Sequence, residues 1–151
     1  MCASTTSVLR ENALPPQRLD VELTETALVS DTARARQVMQ AMKDAGITVT
    51  LDDFGTGYSS LCYLAEMTFD KIKIDRSFVQ TLHERPESAK IVAAVIGLSR
   101  SLGAQTVAEG VETERDAHVL RQLGCGLAQG YLFGRPVPAD QVIPAVEVAV
   151  A

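Results

Sequence analysis

Ile47-Thr48-Val49-Thr50-Leu51-Asp52-Asp53-Phe54-Gly55-Thr56-Gly57-Tyr58-Ser59-Ser60-Leu61 is the stretch that sets the terms for the rest of the chain. The β-branched run from Ile47 to Thr50 favours a strand, and Leu51 extends it. That strand delivers the chain to two adjacent carboxylates, Asp52 and Asp53. Paired acids are costly unless a cation or a basic group neutralises them. Gly55 and Gly57 then suit a tight, mobile loop. No GxxxxGK run follows, so the loop is not a P-loop. Ser59 and Ser60 most simply cap the next helix, expected to run from Ser59 to Glu66.

On either side, strand and helix patterns alternate. Leu19 to Leu23 sets Leu19, Val21 and Leu23 against Asp20 and Glu22, a strand signal. A helix follows with Asp31 or Ser30 as N-cap, Ala33, Val38, Ala41 and Met42 at helical spacings, and Gly46 as its stop. Beyond the loop, Lys71 to Asp75 reads as a strand and Asp75 to Leu82 as a turn and brief helix. Pro86 opens a long helix to Leu102, with Ile91, Val92, Val95, Ile96 and Leu98 on its buried side. Gln105 to Ala108 is a strand, Glu114 to Leu123 a helix stopped by Gly124, and Leu127 to Gly130 a very short strand. Ala139 to Val150 closes as an apolar helix interrupted by Pro144. At the other end, Met1 to Ser7 reads as a disordered tail or frayed helix start, and Val8 to Asn12 as a last helical turn. Five strand–helix alternations imply parallel strands joined by right-handed crossovers. The fold class is therefore α/β, a (β/α) barrel or a doubly wound sheet, in one domain spanning 1–151.

The 151 residues suffice for one real core. A net charge of −5 argues against a nucleic-acid or anionic-membrane surface. Three widely spaced cysteines without a CxxC pair argue against a disulfide framework or a zinc site. With no signal peptide and no membrane-length apolar run, the expectation is a cytoplasmic protein.

Polar residues recur at the strand ends: Glu22, Asp52, Lys73, Glu109 and Gln129. In parallel α/β folds those ends converge on the face that carries the active site. Glu22, Asp52, Asp53 and Glu109 form an oxygen ligand set suited to Mg²⁺ or Mn²⁺. Two such ions bind a phosphate and activate water for in-line attack. Lys73 could balance the acids or orient that water. Taken singly, each has a plainer reading: Asp52-Asp53 as a helix cap or turn, Glu22 and Glu109 as solvated acids, Lys73 as a surface lysine like Lys71, Gln129 as a partner for backbone groups. His83 and His118 lie among surface-like charges, and neither completes a Ser-His-acid triad.

These residues resemble the EAL family, bacterial phosphodiesterases that linearise cyclic di-GMP. The matching segments are Glu22-Leu23-Thr24-Glu25, Asp52 through Leu61, Lys73-Ile74-Asp75-Arg76-Ser77-Phe78-Val79, Val107 through Thr113, and Gln129 through Pro136. The resemblance implies a (β/α)₈ TIM-type barrel with two Mg²⁺ or Mn²⁺ ions. It makes Glu22 a ligand of the first metal, Asp52 a bridge between both and Asp53 a ligand of the second. Glu109 becomes a further ligand or the general base. By the same resemblance Lys73 and Gln129 position the attacking water, and Glu112 supports the site from behind its ligands. Glu25 steadies the loop from Phe54 to Ser60, with Gly55 and Gly57 in it.

The family's Glu-Ala-Leu glutamate, an asparagine ligand and a phosphate-gripping arginine have no counterpart here, and Gly126-Leu127 replaces a frequent acidic–aromatic pair. The expectation is a truncated EAL-like domain holding the last five strands of eight, with 1–13 as tail and remnant helix. Little hydrolysis is expected of the chain alone, leaving a binding or regulatory module, or a relic; the alternative is a phosphodiesterase completed by oligomerisation or a partner chain. Cyclic di-GMP is the expected ligand. A homodimer or higher oligomer should cover two free edges and the apolar inner faces beside them.

Overall fold

The computed structural model describes residues 2–55, 64 and 66–142. The chain starts with α1 (Cys2–Glu11), followed by a turn of 3-10 helix at Pro16–Arg18. Next come β1 (Asp20–Thr24), α2 (Glu25–Ser30), α3 (Thr32–Asp44) and β2 (Thr48–Phe54). The second half is β3 (Lys71–Ile74), α4 (Arg76–Gln80), α5 (Pro86–Ser101), β4 (Gln105–Ala108), α6 (Glu114–Leu123) and β5 (Leu127–Ala128). All strand pairs are parallel. Their order in the sheet is β1-β2-β3-β4-β5, the order of the chain. A doubly wound sheet would reverse direction at a switch point; sequential order is that of a barrel segment.

Local chemistry accounts for the boundaries. Asp31 caps α3 by accepting from the Arg34 amide at 3.1 Å. Thr113 and Asp116 form a reciprocal capping box at the start of α6. Gly124 ends α6 at φ 89, where a side chain would be strained.

The two faces of the sheet differ most clearly in β1 to β3. Val49, Leu51, Ile72, Ile74 and Ala108 point to the helices and are fully buried. Met39 and Met42 of α3, Val92, Val95 and Ile96 of α5, and Leu120 of α6 pack onto them. The opposite face carries Asp20, Glu22, Thr50, Lys71 and Lys73, joined by hydrogen bonds and ion pairs. Strict alternation in Asp20-Val21-Glu22-Leu23 and Lys71-Ile72-Lys73-Ile74 puts these charges on the inner face, so the expected apolar inner face is absent at β1. At the other edge, Val107 and the exposed Leu127 share the face of Lys73 and keep it apolar.

Other expectations shift for equally plain reasons. Residues 2–11 form one helix, the helical alternative rather than the disordered tail, and Leu9 is buried in the core. In α3 the buried side is Met39 and Met42, with Ala35 and Val38 packed against them, while Ala33 and Ala41 face solvent. In α5, Ile91 is exposed, because Val92, Val95, Ile96 and Ser99 already fill the stripe facing the sheet. The strand expected at 127–130 is two residues long. The closing helix is present at residues 139–142, and the remainder lies outside the described residues. So does most of the helix expected at 59–66, with Ser59, Ser60 and Gly57. No helix among the described residues is long and apolar enough to cross a membrane.

Candidate metal centre

Neighbouring residues on a strand point to opposite faces, so Asp52 and Asp53 should not share a site. The register resolves this. Leu51 pairs with Ile72 and Phe54 with Ile74. Two residues of β2, Asp52 and Asp53, thus stand against one of β3, Lys73. This is a bulge, and Asp53 takes the left-handed conformation that it needs, at φ 54. Phe54 thereby returns to the apolar face, buried at 5% exposure, while the two carboxylates stay together.

Lys73 organises what surrounds the bulge. Its ammonium lies 2.6 Å from Glu109 Oε1, 2.9 Å from Glu22 Oε1 and 3.0 Å from Asp52 Oδ1. Its side chain is only 8% exposed. Burial opposes the charge, but the hydrogen bonds to Glu109, Glu22 and Asp52 outweigh it and hold the pKa above the ordinary lysine value. On the far side, Gln129 Nε2 donates to Glu109 Oε1 at 2.6 Å. All five polar strand ends therefore meet in one cluster. Oxygen atoms of Asp52, Asp53 and Glu109 lie within 4.8 Å of one another. Glu22 stands outside that trio and joins it through Lys73.

Glu25 opens α2, with one carboxylate oxygen buried and unpartnered among the described residues. Gly55, at φ 98, brings the backbone against the Phe78 ring, where a Cβ would stand 3.1 Å from Cε2. Glu112 accepts from Gln80 of α4 at 3.2 Å and lines the same cleft as Glu109 and Gln129. His83 is more enclosed than its charged neighbours suggest, with Nε2 3.0 Å from the buried Asp116. His118 is exposed.

Sequence reasoning missed a cleft of about 480 Å³ beside Glu109 and Gln129, walled by Arg76, Tyr131 and Arg135. Arg135 stacks over the Tyr131 ring at 4.3 Å. Its sequence signal was the aromatic–arginine spacing just after Gln129.

A family model for the EAL domain matches residues 1–136. The chain belongs to the EAL domain family. It is 40% identical over 143 residues to MucR of Pseudomonas aeruginosa, a bifunctional diguanylate cyclase/cyclic di-GMP phosphodiesterase, covering 95% of this chain and 21% of MucR. The solved MucR phosphodiesterase in complex with c-di-GMP superimposes with a TM-score of 0.89, over 93% of this chain and 57% of that one. RocR of the same organism, a cyclic di-GMP phosphodiesterase, is 41% identical over 95% of this chain and 36% of its own length. BlrP1 of Klebsiella pneumoniae, solved with manganese and cyclic di-GMP, is 37% identical with a TM-score of 0.83, over 89% of this chain and 34% of that one. This chain thus spans about a fifth of MucR and a third of RocR. The five-stranded sheet is a stretch of an EAL barrel.

Proposed function

We propose that this EAL segment forms the divalent-metal side of a cyclic di-GMP phosphodiesterase site. The observation that carries the proposal is the bulge that sets Asp52 and Asp53 beside Glu109, with Lys73 wedged among the acids. The donors are all hard carboxylate oxygens, the chemistry that Mg²⁺ and Mn²⁺ select. Crowded acids whose nearest cation is one lysine fit a site built for further positive charge. Asp52, Asp53 and Glu109 would hold an ion, with Glu22 and Asp52 facing a second. When bound, such ions neutralise a phosphodiester and sharpen water as a nucleophile.

The protein's own groups prepare that chemistry. Lys73, held charged, draws Glu22, Asp52 and Glu109 toward one point. Gln129 and Lys73 both donate to Glu109 Oε1 and fix the carboxylate's rotation. Glu109 so oriented serves as ligand or as acceptor of the water's proton. The cleft with Arg76, Tyr131 and Arg135 adjoins these groups and leaves room for the rest of a dinucleotide.

The chain alone is proposed to hydrolyse poorly. Glu22 sits on β1, an edge strand among the described residues, and its side chain is 48% exposed. An ion there would meet only Glu22 and Asp52 where a hard cation seeks about six oxygens. Free edges at β1 and β5 favour association with further strands, from a second copy or another segment. Turnover of cyclic di-GMP in Mn²⁺ tests this: the expected result is binding with little linear product. Robust metal-dependent turnover, lost in Asp52→Asn, would overturn the inactivity and uphold the site.

A further inference from the structure

We infer that Gly130 is a positioning residue: the side chain it lacks is what allows Gln129 to reach Glu109. The chain leaving β5 crosses directly over Val111. The Val111 amide donates to the Gln129 carbonyl at 3.1 Å, and the Leu132 amide donates to the Val111 carbonyl at 3.0 Å. A Cβ at Gly130 would fall 2.2 Å from Val111 O and 2.3 Å from Val111 N, at a φ of +156. Both obstacles are backbone atoms, so one of the two crossing segments must move.

The surroundings decide which one moves. Val111 is fully buried. Gly110, just before it, lies so close to α4 that a Cβ there would stand 2.6 Å from Arg76 Cβ. Glu112, just after it, is held by Gln80, and the Thr113–Asp116 capping box follows. The other segment is held more lightly: a two-residue strand, exposed at both positions and paired with β4 alone among the described residues, the Gln129 amide donating to the Ala108 carbonyl at 2.8 Å, and the two bonds to Val111 that the crossing itself makes. The β5 exit therefore yields, and it takes Gln129 away from Glu109. Orienting partners of ligating carboxylates matter to metal sites about tenfold to a hundredfold in affinity.

The inference rests on the proposed role of Glu109, but its first readout does not. In ¹⁵N-labelled protein the side-chain amide of Gln129, assigned from its loss in Gln129→Glu, reports the 2.6 Å hydrogen bond. In Gly130→Ala that resonance should move to the position of exposed glutamines, while backbone amides of β1 to β3 stay in place. Mn²⁺ affinity should fall about tenfold in the same variant. Gly126→Ala, in open space, should change neither. An unmoved Gln129 resonance in Gly130→Ala overturns the inference. Loss of the folded state would also overturn it, since the claim is that the edge gives way locally. A moved resonance with no Mn²⁺ binding by either protein would uphold the positioning and refute the metal site instead.

Discussion

Replacing Lys73 with methionine removes the one cation among the described residues that touches Glu22, Asp52 and Glu109 together, and keeps most of its volume. Removing one partner of a buried ion pair costs about 3–5 kcal/mol, because the remaining charge is stranded. Here the three acids are not equally stranded. Glu22, at 48% exposure, turns to water and contributes little. Asp52 and Glu109, at 19% and 17%, carry most of the cost. Partial solvation of both places the loss near the lower limit, about 3 kcal/mol. For a chain of this length, that corresponds to a fall in Tm of roughly 6–12 °C in EDTA. A divalent cation should restore part of it, since it returns positive charge to the same acids. At a hundred times its Kd, Mn²⁺ adds about 2.7 kcal/mol. Thermal melts by circular dichroism, in EDTA and in saturating Mn²⁺, read both quantities. The reasoning is refuted if Lys73→Met melts within about 2 °C of wild type in EDTA.

Two further outcomes follow from features outside the ion cluster's centre. Burial works against the Asp70 carboxylate, but Lys43, the Val49 amide and Lys71 together hold its pKa below the usual value. A lowered pKa means stability present above the unfolded value of about 3.9 and lost as pH falls through the folded one. Asp70→Asn should cost about 1 kcal/mol at neutral pH, since the group is a third exposed. It should also flatten the acid limb below about pH 4 in urea melts; parallel limbs would contradict the assignment. Asp53 occupies a left-handed conformation that costs L-residues about 1–2 kcal/mol. Asp53→Gly should therefore raise Tm by a few degrees, about 2–4 °C per kcal/mol, while weakening Mn²⁺ binding. A lower Tm with unchanged binding would refute the strain.

The strand ends and helix stops were readable because they rest on local chemistry. Gly46 and Gly124 mark C-termini that any sequence window contains, and the five polar residues each sit in or just past a strand. What the sequence concealed is relational. Asp52 and Asp53 share a face only because β2 holds two residues against Lys73, and pairing register is not a property of one strand. Lys71 reads as a surface twin of Lys73, yet two residues along a strand is the same face, and it pairs there with Asp20. That alternation is present in the letters of both strands. The contact of His83 with Asp116 joins residues 33 positions apart, beyond any local pattern.

Isothermal titration of Mn²⁺ into wild type and Asp53→Asn bears on the whole reading. Asp53 belongs to the carboxylate trio but not to the ion pairs that Lys73 makes with Glu22, Asp52 and Glu109, so its replacement removes a proposed ligand without touching those pairs. The expected result is saturable binding to wild type and at least a roughly tenfold loss in the variant. Superimposable titrations, or no binding to wild type, would contradict a divalent-metal site at these strand ends.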